Sequence, residues 1–182
     1  MKEKFAVIGW GSLINDPGCL KIESDIWKED GPRLPIEFAR KSSDERITLV
    51  LYPPYLKDKE KWVTTYWNLL NVNTVDEARE DLRKRERCPS LKPIGYLDKG
   101  KIYCTNVKIG NIIKSWAITM GISGVVWTDL GSNISLKKVI PHLSLLKNEK
   151  YLEAKDYILD GPKQTNTPLR PILEKYVSNR EI

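Results

Sequence analysis

The chain has 182 residues, 41% of them hydrophobic and 30% charged, and 30 basic against 24 acidic side chains give a formal net charge of +6. A chain of this length buries roughly 70% of its unfolded surface, so a core closes without disulfides or metal, and six Trp with eight Tyr argue against disorder. A mean hydropathy of -0.42, with no apolar run near the ~18 residues a bilayer span needs, excludes an integral membrane helix.

Phe5 to Ile8 is a short apolar run ending at Gly9 and Gly11, the pattern of a buried strand entering a tight turn. Lys2 and Lys4 ahead of that run give it the look of a signal peptide, but Glu3, the embedded glycines and the lack of a small-x-small cleavage site favour a strand. A loop rich in Asn, Asp, Pro and Gly covers Asn15 to Gly18. Leu34 to Arg40 and Arg46 to Tyr52 alternate around Ser42-Ser43-Asp44-Glu45, which predicts an antiparallel hairpin, and Trp62 to Leu70 reads as a further strand.

Thr74-Val75-Asp76-Glu77 is a capping box, so a helix is expected from Val75 to about Arg87. Ile94 to Leu97 and Lys101 to Lys108 read as strands joined at Asp98-Lys99-Gly100. Asn111 to Met120 presents one apolar helical face with Gly121 as its stop, and Val125 to Thr128 is a buried strand. From Ser135 the pattern is helical, with Pro141 inside it, a helix over Tyr151 to Leu159 and a last one starting near Pro168. Strands fill the first half and helices the second, and no linker splits the chain, so one α+β domain over residues 1–182 is expected.

Three widely spaced cysteines, Cys19, Cys88 and Cys104, are no disulfide framework and fit a reducing, cytoplasmic setting. One histidine, His142, and no Cys-x-x-Cys pair leave too few ligands for zinc, and no cofactor is expected. The net positive charge raises the possibility of nucleic acid, but the densest run, Arg83-Lys84-Arg85-Glu86-Arg87, shares its helix with Asp76, Glu77, Glu80 and Asp81. Ion pairs along a solvated face account for it, so no nucleic-acid or membrane partner is expected, whereas anionic small molecules are.

Two features carry chemistry. The turn Gly9-Trp10-Gly11-Ser12-Leu13-Ile14 follows a strand, but a dinucleotide fingerprint would require glycine where Ile14 stands; its closely spaced glycines suit an anion or oxyanion nest, or an ordinary strand-end turn. At 100° per residue, Val75, Ala78, Leu82 and Glu86 fall within about 80° of arc, so Glu86 shares the face that the apolar residues bury. A carboxylate there is either functional, as a general acid or base, or sits at a frayed helix end, solvated or paired with arginine. Both readings stand on the residues alone.

Together the two features resemble the gamma-glutamylcyclotransferases, in particular their glutathione-degrading ChaC-like branch. The turn is similar to the Gly-Tyr-Gly-Ser-Leu-Ile turn that opens that family; Val75-x-x-Ala78, Leu82 and Arg85-Glu86 resemble its helix ending in Arg-Glu; and Ser42-x-Asp44-x-Arg46 after Phe38 resembles a stretch between them. The likeness covers roughly residues 1–110, leaving 111–182 as a helical extension without a counterpart. Trp10 stands where the family has tyrosine, Asn15 where it has tryptophan, and residues around Pro89 to Pro93 are extra.

The resemblance implies a small mixed β-barrel with packed helices, to which the C-terminal helices add a layer. It implies release of 5-oxoproline from a gamma-glutamyl compound without metal or cofactor. Glu86 would be the catalytic acid/base, with Trp10, Gly11, Ser12, Leu13 and Arg46 binding substrate. The alternative is a non-catalytic small-molecule-binding module of the same fold. Ser12 with His142 as nucleophile and base lacks an orienting third residue.

Overall fold

A computed structural model describes residues 3–180. Phe5–Gly9 forms β1, buried at every position and apolar from Phe5 to Ile8. A strand of this kind needs neighbours on both edges. It has them: β6 (Tyr66–Leu70) pairs antiparallel on one side, with Val7 opposite Asn68, and β9 (Gly124–Thr128) pairs parallel on the other, with Val7 opposite Val126. β7 (Ile94–Asp98) continues the sheet antiparallel to β9, and β8 (Lys101–Tyr103) closes it, giving the order β6-β1-β9-β7-β8. The outer edge of β6 is not bare. Lys28 and Trp67 exchange both backbone hydrogen bonds at 2.9 Å, and the Glu23 N–H donates to the Leu69 carbonyl at 2.8 Å.

This mixed sheet belongs to the first of two compact units, built from residues 3–34 and 64–130. Its core lies between one sheet face and α1 (Val75–Arg85): Val75, Ala78 and Leu82 of the helix are buried with Phe5, Val7, Tyr66, Leu70, Ile94 and Val126. The predicted helix face is therefore the one that packs. Thr74 caps the helix by accepting from the Glu77 N–H at 3.2 Å, and Glu77 reaches back to the Asn73 N–H at 2.7 Å, one residue further than the box would place it. Arg83 makes a two-bond fork to Glu80 and Arg79 pairs with Asp76, so part of the helix's positive charge is paired along the helix itself.

The β7–β8 turn has Lys99 at φ 46° and Gly100 at φ 78°, a two-residue loop of the kind that matches hairpin twist. The strand expected over Lys101 to Lys108 stops at Tyr103, because Asn106 accepts from the Lys108 and Ile109 N–H groups and starts α2 (Val107–Thr119) four residues earlier than the apolar pattern alone indicated. Gly121, at φ 65°, ends that helix as expected. Gly95 lies opposite Trp127, whose indole occupies the space a Cβ would need.

The second unit comprises residues 35–63 and 131–180. Its hairpin, β3 (Ile36–Lys41) with β4 (Ile47–Leu51), is antiparallel as predicted, with an irregularity between Phe38 and Arg40. Two further strands are two residues long: β2 (Arg33–Leu34), which belongs to the first unit, and β5 (Val63–Thr64), where the chain passes from the second unit to the first. The chain then supplies α3 (Leu136–Leu145, containing Pro141), α4 (Asn148–Leu159) and α5 (Arg170–Asn179). Tyr157 of α4 meets Phe38 edge-on at 6.4 Å and accepts from the Leu49 N–H at 3.3 Å, which docks helix to hairpin. The last helix starts at Arg170, two residues beyond Pro168. The buried Arg170 guanidinium donates to the carbonyls of Pro162 and Gly161 at 2.6 Å each, tying that start to the loop after α4.

The architecture is mixed α+β. Residues beyond 110 contribute the strand between β1 and β7 as well as helices. Among the described residues no helix is long and apolar enough to cross a membrane.

Candidate functional site

β1 ends at Gly9 and the backbone turns at once: the Ile14 N–H donates to the Gly11 carbonyl at 3.1 Å and the Asp16 N–H to the Ser12 carbonyl at 2.9 Å. The leading N–H groups of such a turn have no partner within it. Those of Gly11, Ser12 and Leu13 find no acceptor among the described residues. A Cβ on Gly9 would stand 2.9 Å from Ile14 Cδ1 and 3.1 Å from Leu13 Cδ2, so the two side chains pack closely over the glycine. Trp10, with 5% of its surface exposed, is a wall of the fold, and Ser12 is exposed.

The C-terminus of α1 supplies the acid. The Arg87 N–H donates to the Lys84 carbonyl and the Cys88 N–H to the Arg83 carbonyl, both at 3.0 Å, which is the Schellman arrangement. It requires a left-handed residue after the cap, and Arg87 takes that conformation at φ 52° without being glycine. Glu86 is the cap itself, at φ -77° and ψ -2°, so the helix ends at Arg85 rather than Arg87. The Glu86 side chain is 18% exposed and paired with arginine, an arrangement that leaves both of its expected readings open.

The partner is Arg85. Its Nη1 donates to Glu86 Oε1 at 2.7 Å, its Nη2 to Ser12 Oγ at 3.3 Å and to the Asp16 carbonyl at 2.7 Å, and its Nε to the same carbonyl at 3.0 Å. One guanidinium thus joins the glycine turn to the helix end. Gly18, at φ 60°, makes room: a Cβ there would lie 3.1 Å from Arg85 Cγ. Its N–H is held by Asp16 Oδ1 at 3.1 Å. The loop Asn15 to Gly18 is the bed on which the Arg85 side chain rests.

Other expected residues have different surroundings. Arg46 belongs to the second unit, where its Nε donates to Asp44 Oδ2 at 2.8 Å and its guanidinium lies 5.6 Å from the Tyr157 ring centre. Burial opposes ionisation of Asp44, but the bonds from Arg46 and Ser42 outweigh it and hold that carboxyl at about 2. His142 Nε2 lies 2.7 Å from the Glu45 carbonyl, also in the second unit. The Cys88 thiol is buried and points back to the Glu86 carbonyl at 3.8 Å. Among the described residues no group of three His, Cys, Asp or Glu side chains is arranged to hold a metal ion.

One buried acid escaped the sequence reading. Glu37, fully buried on β3, accepts from the Phe38 N–H at 2.8 Å, the Leu169 N–H at 3.1 Å, the Tyr55 hydroxyl at 3.2 Å and the Thr167 hydroxyl. Burial pushes its carboxyl above the usual range, and the four donors only partly offset that. Thr167 also lines an open cleft of about 350 Å³ with Asp58, Glu60, Lys61 and Asn166. The signal was a charged residue inside the apolar run Leu34 to Ala39, where strand alternation hid it among outward positions. Two of its four donors, Thr167 and Leu169, make it an anchor of the Thr165 to Leu169 loop.

Comparisons of the chain with protein-family models, with curated proteins and with solved structures return no match.

Proposed function

We propose that the protein is a gamma-glutamylcyclotransferase-like enzyme that releases 5-oxoproline from a gamma-glutamyl compound, with Glu86 as acid/base. The observation that carries the reading is the single guanidinium, Arg85, bonded to both the Ser12 turn and Glu86, because it gathers the two sequence features into one site.

In this reaction the substrate carries its own nucleophile. The free α-amine attacks the γ-carbonyl carbon, a five-membered ring closes, and the γ C–N bond breaks to free the amine. Tethering makes the attack intramolecular, so the protein's tasks are orientation, one proton and one oxyanion. Glu86 takes the proton that the amine loses as the ring closes and returns it to the departing nitrogen. The unused N–H groups of Gly11 to Leu13 suit the oxyanion or the glutamyl carboxylate.

The same reading takes the five-stranded sheet as the wall of a small barrel and the cytoplasm as the place of work. Three cysteines outside any disulfide, one of them exposed, suit a reducing compartment. Trp10 favours the second reading, a non-catalytic binding module of the same fold, because it brings no hydroxyl where the resembled family has a tyrosine. Incubating the purified protein with glutathione, gamma-glutamyl amino acids and gamma-glutamyl amines decides between them. Release of 5-oxoproline supports the enzyme; calorimetric binding without release supports the module.

A further inference from the structure

We infer that Arg85 is the positioning residue for Glu86: it fixes one carboxylate oxygen and leaves the other to exchange the proton. This rests on the cyclotransferase reading and adds a role which that reading does not assign.

The pair is not an ordinary helix ion pair. Neighbouring residues on a helix point about 100° apart and do not face each other, and surface pairs form between positions three or four apart, as Arg83 with Glu80 and Arg79 with Asp76 do here. Arg85 meets Glu86 at 2.7 Å because its side chain is drawn off the helix surface at the last turn. Glu86 is the helix cap, its N–H still bonded to the Leu82 carbonyl, and the left-handed Arg87 follows it. Arg85 is drawn across to the loop by the Asp16 carbonyl, which receives both Nε and Nη2, and its stem lies against Gly18. Its side chain is 11% exposed, less than the 26% of Arg83.

Two N–H groups clamped on one carbonyl set the plane of the guanidinium, and the remaining edge then has one direction in which to offer Nη1. That direction is Glu86 Oε1. Among the described residues Oε2 receives no donor, so the carboxylate is oriented through one oxygen and free at the other. A general base needs this division: a fixed lone-pair direction and an oxygen able to take a proton. The bond from Nη2 to Ser12 Oγ ties the orientation to the turn, so the donors at Gly11 to Leu13 and the acceptor at Glu86 are linked through one guanidinium. A lysine keeps the charge but cannot clamp Asp16 and reach Glu86 together.

The test is steady-state kinetics of 5-oxoproline release by wild type, Glu86→Gln, Arg85→Ala and Arg85→Lys, with guanidinium chloride added at sub-denaturing concentration. Arg85→Ala is expected to lower kcat by about 10- to 100-fold with KM within about threefold, as a displaced catalytic group does. Guanidinium should restore part of that loss, and lysine should not. Recovery by the free cation requires a folded protein, so it separates a lost positioning contact from a lost fold. Wild-type kcat in Arg85→Ala beside an inactive Glu86→Gln overturns the positioning role and leaves the cyclotransferase reading standing. So does full rescue by lysine, which assigns Arg85 charge alone. No turnover by wild type on any gamma-glutamyl compound removes both.

Discussion

Ser12 and Arg85 are 73 positions apart in the chain and share a hydrogen bond of 3.3 Å. The same guanidinium lies 2.7 Å from the Glu86 carboxylate, so the end of the first strand and the end of the first helix meet at one cation. A turn rich in unused N–H donors and a carboxylate are thereby linked through one side chain.

The residue closing the helix end is strained. Arg87 holds φ 52°, a conformation that costs a residue with a Cβ about 1 kcal/mol or more and glycine almost nothing. Replacing Arg87 with Gly should stabilise the protein by about 0.5–1 kcal/mol after the glycine's larger unfolded-state entropy is subtracted, read as a rise in urea midpoint at unchanged slope. A fall in midpoint would show that the Arg87 side chain contributes more than the strain costs.

Gly95 makes the opposite kind of demand. Any Cβ at that position falls inside the Trp127 indole, which is fully buried. Gly95→Ala forces the ring or the β7–β9 ladder to move, and overpacking of this kind costs about 1–3 kcal/mol. Thermal melts that superimpose on wild type would mean that the core yields there.

Two carboxylates should show opposite pH behaviour. Glu37 has its proton affinity raised by burial, so its contribution to stability is full below the ordinary glutamate range and is lost as pH rises through the raised value. Glu37→Gln leaves a donor facing a donor at Phe38 or Leu169, an expected cost of about 1–3 kcal/mol. Relative to wild type, that cost should be largest in acid and shrink toward neutrality.

Asp44 is held at about 2, so its contribution is present above the ordinary aspartate range and is lost as pH falls toward that value. Its side chain is 42% exposed, which keeps the effect of Asp44→Asn under about 1 kcal/mol. That small effect should be full near neutrality and shrink as pH falls below the ordinary aspartate range. Denaturant titrations of both variants between pH 3 and 7, a range spanning roughly the ordinary carboxylate values, test the two signs together.

The elements were legible because local chemistry and burial agree over most of the chain. Phe5 to Ile8, the hairpin around Ser42 to Arg46 and the face of Val75, Ala78 and Leu82 each satisfy one period and one set of end signals. The boundaries that moved did so where a single side chain overrode the apolar pattern, as Asn106 does for α2. At the site, the turn and Glu86 were readable as motifs, but their link was not. Arg85 appears in the sequence as one of several cations on a solvated helix; only the Asp16 carbonyl and the glycine at 18 turn it toward Glu86. Glu37 was hidden because its four donors come from three separate places, one of them a loop about 130 residues away.

The central claim rests on one proton carrier, and Glu86→Gln tests it most directly. Glutamine keeps the shape of the side chain and a carbonyl oxygen for Arg85 but neither accepts nor returns a proton. On any gamma-glutamyl compound that wild type converts, the variant should release 5-oxoproline about 10²- to 10⁴-fold more slowly, with binding measured by calorimetry nearly unchanged and the fold intact by circular dichroism. Wild-type turnover by Glu86→Gln on that compound would contradict the account.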